Sequence, residues 1–190
     1  MGDQVNCKGG YDMSTTRDTG QLIPLLMLGA LVGMIGGVLM ALFTMLATAT
    51  YLQMGFFTPL YAIAAPLIGR QTLLTSMMQG VFYFALGPAL LGLVVHLMWS
   101  AFWGMIFGLI ARRLHLTEGV AIISGLVYGL LVMLVMSFIV VPIVGAPDLL
   151  RLMGTLSFII AHALFYGLPL GLWPMVQPQF FNGLTTRQAV

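Results

Sequence analysis

Charged side chains divide this chain into four long uncharged runs, and this division limits the folds that it can adopt. After Asp18, the residue types Asp, Glu, Lys and Arg are absent from 19–69, 71–111, 119–147 and 152–186. A helix needs about 20 apolar residues to cross a bilayer, so each run can hold one spanning helix. The pattern predicts an all-α integral membrane protein with four transmembrane helices.

The composition is typical of a protein whose solvent is lipid. Of the 190 residues, 60% are hydrophobic and only 6% are charged, whereas about a quarter of a soluble domain is charged. The net charge of +2 does not favour nucleic acid as a partner, so membrane lipids are the predicted partners. The single cysteine, Cys7, excludes an intramolecular disulfide and a multi-cysteine metal site.

Apolar runs and the prolines beside them set the expected helix boundaries. Pro24 is expected in the opening turn of the first helix and Pro88 at the start of the second. Pro142 and Pro174 are expected just beyond the ends of the third and fourth helices. The four helices are predicted over about 22–48, 88–110, 119–141 and 152–173.

The residues between the first two helices, 51–87, form an irregular apolar segment. Gly55, Pro59, Pro66 and Gly69 interrupt it. The uninterrupted length is too short to cross a bilayer, and apolar stretches of this kind are more often re-entrant or interfacial. A re-entrant or interfacial segment is therefore predicted here, with a fifth spanning helix as the alternative.

Positive charges predict the orientation of the 22–175 membrane domain. With four helices, the polar tail 1–21, the loop 112–118 and the C-terminal tail 176–190 share one side, and they carry five of the seven Lys and Arg residues. Positive residues accumulate on the cytoplasmic side of a membrane protein. We therefore expect a multi-pass protein of the cell inner (plasma) membrane with both termini in the cytoplasm.

Small residues recur at every fourth position in the predicted helices. On a helix this spacing places them in one stripe, and such small-xxx-small stripes let backbones approach closely in lipid. The predicted helix-packing residues are Gly29, Gly33 and Gly37 in the first helix, Ser100, Gly104 and Gly108 in the second, Gly125 and Gly129 in the third, and Gly167 and Gly171 in the fourth.

Two of the predicted helices also share a short sequence. Leu126–Leu130 reads Leu-Val-Tyr-Gly-Leu, and Leu164–Leu168 reads Leu-Phe-Tyr-Gly-Leu. An old duplication of helix pairs explains this similarity. A shared packing solution, with glycine for contact and an aromatic ring to fill space, explains it equally well.

No Asp, Glu, Lys or Arg lies inside the four predicted helices. Proton pumps, cation antiporters and voltage sensors depend on such charges. The catalytic triads and paired carboxylates of hydrolases need acidic side chains, which this chain carries only in its tails and loops. The chain is therefore predicted not to be an enzyme.

His96 and His162 are the predicted cofactor-binding residues. They lie eight residues after Pro88 and ten after Leu152, which corresponds to roughly 12 and 15 Å below the starts of their helices. Two imidazoles at similar depth on neighbouring helices can ligate a haem from both faces, or bind a quinone head group through hydrogen bonds. In the alternative, each histidine makes a hydrogen bond between helices and serves packing alone.

Other side chains in the helices allow further interpretations. The 15 methionines make copper a minor alternative, because thioether and imidazole ligands suit Cu(I). Methionine is also an adaptable apolar filler, and here it is scattered. Trp99, Trp103 and Phe107 form a row that can pack against a pigment, a quinone tail, a lipid or another helix.

These observations lead to two main hypotheses for function. The first is a non-catalytic integral membrane subunit of a larger respiratory, photosynthetic or similar complex, in which surplus packing stripes dock other integral membrane subunits. The second is a haem- or quinone-binding electron-transfer bundle that uses His96 and His162. A small transporter ranks below both, because few polar side chains accompany the glycine and proline interruptions of the helices.

Overall fold

The computed structural model describes residues 13–116, 118–144 and 154–177. The described chain folds into helices without a strand, and four helices are long and apolar enough to cross a membrane. The predicted all-α fold with four membrane-spanning helices is therefore confirmed by length and composition. We name these helices the first to fourth spans: Leu22–Thr50, Leu86–Arg113, Gly119–Val144 and Thr155–Val176.

Shorter helices and two π-helical segments complete the described chain. The third and fourth spans each change from α-helix to π-helix and back. In chain order the elements are α1 (Met13–Thr50), α2 (Thr58–Ile68), α3 (Gln71–Gln79), α4 (Leu86–Arg113), α5 (Glu118–Val135), π1 (Met136–Val140), α6 (Val141–Val144), α7 (Thr155–Ile160), π2 (Ala161–Gly167) and α8 (Leu168–Val176).

Three prolines lie inside helices rather than at the predicted boundaries. Because α1 begins at Met13, Pro24 lies in its interior and not in its opening turn. Pro142 lies within α6 and Pro174 within α8, so the third and fourth spans continue beyond their predicted ends. Membrane helices tolerate proline when neighbouring groups and local π-helical adjustments satisfy the freed carbonyls. Such an adjustment lies close to Pro142, because π1 ends at Val140, two residues before it.

The other predicted boundaries differ slightly or lie outside the described residues. The second span covers Leu86–Arg113, where the prediction is 88–110. The predicted start of the fourth helix at 152 lies outside the described residues, as do 1–12 and 178–190 of the two predicted tails.

The first and second spans form one antiparallel pair. A Cβ atom built on Gly29 would lie 2.8 Å from the carbonyl oxygen of Gly104, and one on Gly104 would lie 2.8 Å from the Cα of Gly33. A Cβ on Gly37 would lie 2.7 Å from the Cβ of Ser100. At these glycines the two backbones approach too closely for a side chain larger than hydrogen.

The third and fourth spans form a second antiparallel pair in the same way. A Cβ on Gly125 would lie 2.6 Å from the Cα of Gly171, and one on Gly129 would lie 3.0 Å from the Cα of Gly167. These four glycines therefore lie at the contact between the third and fourth spans.

Aromatic side chains fill the space between the two pairs. The rings of Phe43 in the first span and Phe165 in the fourth stack with centroids 4.5 Å apart. Gly108 in the second span lies against the Trp173 indole, because a Cβ there would be 2.9 Å from the ring. The fourth span thus contacts both members of the first pair.

Two tyrosines attach the second pair to the second span. Tyr128 donates a hydrogen bond of 2.8 Å to the carbonyl oxygen of Trp103, and Tyr166 donates one of 2.7 Å to the carbonyl oxygen of Ser100. These are the tyrosines of the two similar five-residue sequences, and each is followed by a glycine at the contact between the third and fourth spans. The arrangement is consistent with a shared packing solution.

The segment between the first and second spans contains α2 and α3, and both are too short to cross a membrane. α2 packs on the second span, where a Cβ on Gly92 would lie 2.7 Å from the carbonyl carbon of Leu60. A buried hydrogen bond of 2.6 Å joins the hydroxyl groups of Thr58 in α2 and Ser76 in α3. The described residues contain four spans and no fifth. A re-entrant or interfacial position for this segment stays a prediction.

Candidate ligand-binding site

A cavity of about 100 Å³ lies between the spans and α2. Its wall includes Thr44 from the first span, Leu60 from α2, His96 from the second span, Val132 from the third and His162 from the fourth. The lining is mostly apolar and the cavity is not fully enclosed. The structure thus brings the two predicted cofactor-binding histidines onto the wall of one cavity.

His96 is held by a hydrogen bond between two spans. Its Nε2 lies 3.0 Å from the carbonyl oxygen of Gly37 in the first span. Ser100, one turn further along, donates its hydroxyl hydrogen to the carbonyl oxygen of His96 at 2.8 Å. His96 therefore contributes to packing of the first pair, which is the role that the packing interpretation expects.

His162 is held within its own span. Its Nδ1 lies 2.9 Å from the carbonyl oxygen of Phe158, four residues earlier, and the two rings lie with centroids 4.8 Å apart. The imidazole is buried, with 4% of its surface exposed. This hydrogen bond joins no second helix, so His162 does not make the hydrogen bond between spans that the packing interpretation expects.

Each of the three hydroxyl groups on the cavity wall donates its hydrogen to a main-chain carbonyl oxygen. Thr44 donates to the carbonyl oxygen of Ala41 at 2.9 Å. Ser100 and Tyr166 donate to carbonyl oxygens of the second span. Their oxygen atoms keep lone pairs that can accept further hydrogen bonds.

Trp103 brings an unsatisfied donor to the cavity. The indole lines the wall, and its Nε1 is buried without a hydrogen-bond partner among the described residues. The hydroxyl of Ser137, in π1, is also buried without a partner there. Buried polar groups in proteins are nearly always paired, so the Trp103 N–H is an exception that an acceptor atom beside the indole would remove.

Both π-helical segments contribute to the wall. Met136 is the first residue of π1, and His162 and Tyr166 lie in π2. Such segments interrupt the regular helical ladder and occur frequently at functional sites. They coincide here with a cavity whose wall contains both histidines.

The size of the cavity does not suit a haem. A cavity of roughly 150 Å³ holds one benzene molecule. At about 100 Å³ this cavity is smaller than that, so a single ring enters only with adjustment of the wall or through the open side, and a porphyrin is several times larger. In addition, Nε2 of His96 is already bonded to Gly37. The geometry therefore favours a single-ring head group over haem.

The methionines give little support to a copper site. Met40 and Met136 line the cavity, whereas Met98 is 60% exposed. The described residues contain no group of three or more His, Cys, Asp or Glu that could hold a metal ion. The two cavity methionines are flexible apolar side chains that adapt to the shape of a ligand.

The sequence prediction missed the contribution of α2. Pro59 and Leu60 line the cavity, although the sequence predicts for their segment a re-entrant or interfacial position, with a fifth spanning helix as the alternative, and no part in a binding site. One signal was available, because Gly92 precedes His96 by four residues and extends the stripe that continues through Ser100. That glycine is where α2 meets the second span.

Comparisons with protein-family models, with curated proteins and with solved structures find no match to this chain. Its function is therefore argued from the cavity and the residues that form it.

Proposed function

We propose that this chain is a membrane-embedded binding protein for a lipid-soluble molecule with a small ring head group, of the quinone class. The head group occupies the cavity between His96 and His162, and the apolar tail leaves through the open side towards lipid. The observation that carries this proposal is the placement of both histidines on one cavity wall.

The chemistry of the wall supports a ring with polar atoms at its edge. Each imidazole uses one ring nitrogen for a main-chain carbonyl, and the other nitrogen is left for a ligand. The Trp103 N–H is unpartnered within the described residues. The remaining lining is apolar, with aromatic and methionine side chains that pack against a ring. A few polar groups in an apolar pocket are typical of small-molecule sites.

Binding of decylubiquinone and of its reduced form, decylubiquinol, tests the proposal. Calorimetric titration of the purified protein in lipid nanodiscs is expected to show saturable binding of at least one form above the partitioning into empty nanodiscs. His96→Leu and His162→Leu are each expected to weaken the binding by up to about tenfold, since one hydrogen bond contributes roughly 1 kcal/mol.

His115→Leu is the matched control, because His115 follows the second span and does not line the cavity. Its affinity for both forms is expected to equal that of the wild-type protein. If neither form binds, or if all three histidine variants bind like the wild type, the proposed function is wrong. Added haem that produced a Soret band dependent on His96 would favour the haem alternative instead.

A subunit role in a larger membrane complex stays a prediction with less support. The sequence argument for it is that small-residue stripes occur on all four helices, whereas one bundle needs only some of them for its own contacts. In the structure the stripe residues contact one another within the chain, and the exposed faces carry large apolar side chains such as Ile23, Met27 and Leu42, which lipid can cover. Stoichiometric co-purification with other membrane proteins in a mild detergent would support this role.

We also propose an inner-membrane position with both termini in the cytoplasm. This orientation rests on the distribution of Lys and Arg. It places the start of the second span, and with it the cavity near His96, towards the outer side of the membrane.

A further inference from the structure

The tautomers of the two cavity histidines are fixed by their main-chain partners. A carbonyl oxygen can only accept a hydrogen bond, so the ring nitrogen bonded to it must carry the hydrogen. In His96 this nitrogen is Nε2, bonded to Gly37, and in His162 it is Nδ1, bonded to Phe158. A neutral imidazole has one N–H only. Nδ1 of His96 and Nε2 of His162 are therefore lone-pair acceptors.

A neutral ring is the state that these surroundings support. The four spans contain no Asp or Glu, so no carboxylate within them can compensate an imidazolium. Burial of an unpaired charge is expensive. Neither ring has a further hydrogen bond within the described residues, so neither lone pair is used by the protein there.

The hydroxyl groups add acceptors and no donors. The hydrogens of Thr44, Ser100 and Tyr166 are all donated to main-chain carbonyls. Only lone pairs of these oxygens remain. The cavity-lining side chains thus carry five acceptor atoms, whereas the Trp103 N–H is a buried donor without a partner among the described residues.

A ligand that bonds to the two imidazole lone pairs must donate hydrogen bonds. The oxygens of a quinone can only accept hydrogen bonds. A quinone oxygen next to an imidazole lone pair would therefore face another acceptor, with no hydrogen to bridge them. A quinol carries two hydroxyl groups, and each can donate to an imidazole while its oxygen accepts from an indole N–H such as that of Trp103.

We infer that the cavity selects the reduced, dihydroxy form of a quinone-class head group over the oxidised form. This inference rests on the proposed function of quinone-class binding. The chemistry that it requires is a ring with two hydroxyl donors, one for His96 and one for His162. An alkylphenol offers only one donor and is expected to bind more weakly.

The test compares the two redox forms of one molecule on the wild-type protein in nanodiscs without oxygen. Decylubiquinol is expected to bind at least tenfold more tightly than decylubiquinone. The midpoint potential of the bound couple is then raised by about 30 mV or more, because a tenfold affinity ratio corresponds to about 30 mV for two electrons. His96→Leu and His162→Leu are each expected to reduce this ratio.

The possible failures are distinguishable. Equal binding of both forms, or tighter binding of decylubiquinone, overturns this inference, and the proposed function stands if binding still depends on the histidines. Binding of 4-decylphenol as tight as that of decylubiquinol overturns the two-donor requirement. If the wild-type protein binds neither redox form, the proposed function and this inference are both wrong.

Discussion

The hydroxyl group of Tyr166 donates a hydrogen bond of 2.7 Å to the carbonyl oxygen of Ser100, which ties the fourth span to the second beside the cavity. The tyrosine is 2% exposed and the serine 6%. Both also line the cavity. One contact therefore holds the two helix pairs together and shapes the candidate site.

Tyr166→Phe is expected to lower the stability of the folded protein. The change removes this hydrogen bond and keeps the ring, so the expected loss is about 1 kcal/mol. Thermal unfolding in detergent measures it as a lower midpoint temperature. Tyr51→Phe is the control, because Tyr51 is 86% exposed and its replacement is expected to leave the midpoint unchanged. An unchanged midpoint for Tyr166→Phe contradicts the role of this bond.

Gly104→Ala is expected to separate the first and second spans. A Cβ at this position would lie 2.8 Å from the Cα of Gly33, so the backbones must move apart, and overpacking of this kind costs about 1–3 kcal/mol. Gly87→Ala in the same helix is the matched control, since a Cβ there meets nothing within 4 Å. The thermal unfolding midpoints of the two variants are compared. Equal midpoints would contradict the idea that the close backbone contact at Gly104 determines stability.

Ser76→Ala is expected to loosen the segment between the first two spans. The change leaves the buried hydroxyl of Thr58 without its 2.6 Å partner, and an unsatisfied buried polar group costs about 1–3 kcal/mol. Hydrogen exchange of α2 and α3 is expected to become faster. Thr75→Ala serves for comparison, because the Thr75 hydroxyl bonds only to Gln71 within α3. Equal exchange in both variants argues against the Thr58–Ser76 contact as the main connection.

Tyr61 predicts an alkaline limit to the stability of the same segment. Its hydroxyl oxygen accepts a hydrogen bond of 2.8 Å from the N–H of Ala85, and burial raises the pKa of Tyr61 above its ordinary value. Because the folded state favours the neutral phenol, its contribution is complete below pH about 10 and is lost as the pH rises through the raised pKa.

The unfolding midpoint is therefore expected to fall with pH in this alkaline range, and to fall less steeply in Tyr61→Phe. The variant loses the acceptor for Ala85 but has no group to ionise at this position. Identical slopes in the two proteins would show that Tyr61 does not titrate with unfolding.

Cys7 gives a direct measurement of orientation. It is the only cysteine in the chain, and the charge distribution predicts a cytoplasmic N-terminal tail. A membrane-impermeant maleimide is expected to label it in inverted vesicles and not in intact cells. A variant with Cys7→Ser and Gln71→Cys is expected to show the opposite pattern. Labelling of Cys7 in intact cells would contradict the proposed topology and would place the N-terminal tail outside the cell.

Spacing and charge account for the parts of the fold that could be predicted. The number of spans follows from the four uncharged runs, because each exceeds the thickness of a bilayer. The positions of Gly29 and Gly104 at a contact follow from their four-residue stripes. Depth estimates suggested that His96 and His162 lie at similar levels, and in the structure both line one cavity.

Features that depend on three-dimensional hydrogen bonding could not be predicted in this way. No residue pattern distinguishes π2 from an ordinary α-helix. The sequence predicts that helices end before Pro142 and Pro174, but α6 extends to Val144 and α8 to Val176. The cavity also depends on α2, whose position is fixed by the contact between Leu60 and Gly92. The tautomers follow only from the observed carbonyl partners.

The π-helical segments have a consequence for the angular phase of the helices that contain them. An α-helix turns by about 100° per residue, and a π-helical turn accommodates one extra residue, so the same residues in a regular α-helix would rotate one half of the span against the other by about that angle. His162 and the glycines that follow it could then not face the cavity and the third span together. The wider π-helical turn therefore lets the fourth span direct His162 to the cavity and its glycines to the third span.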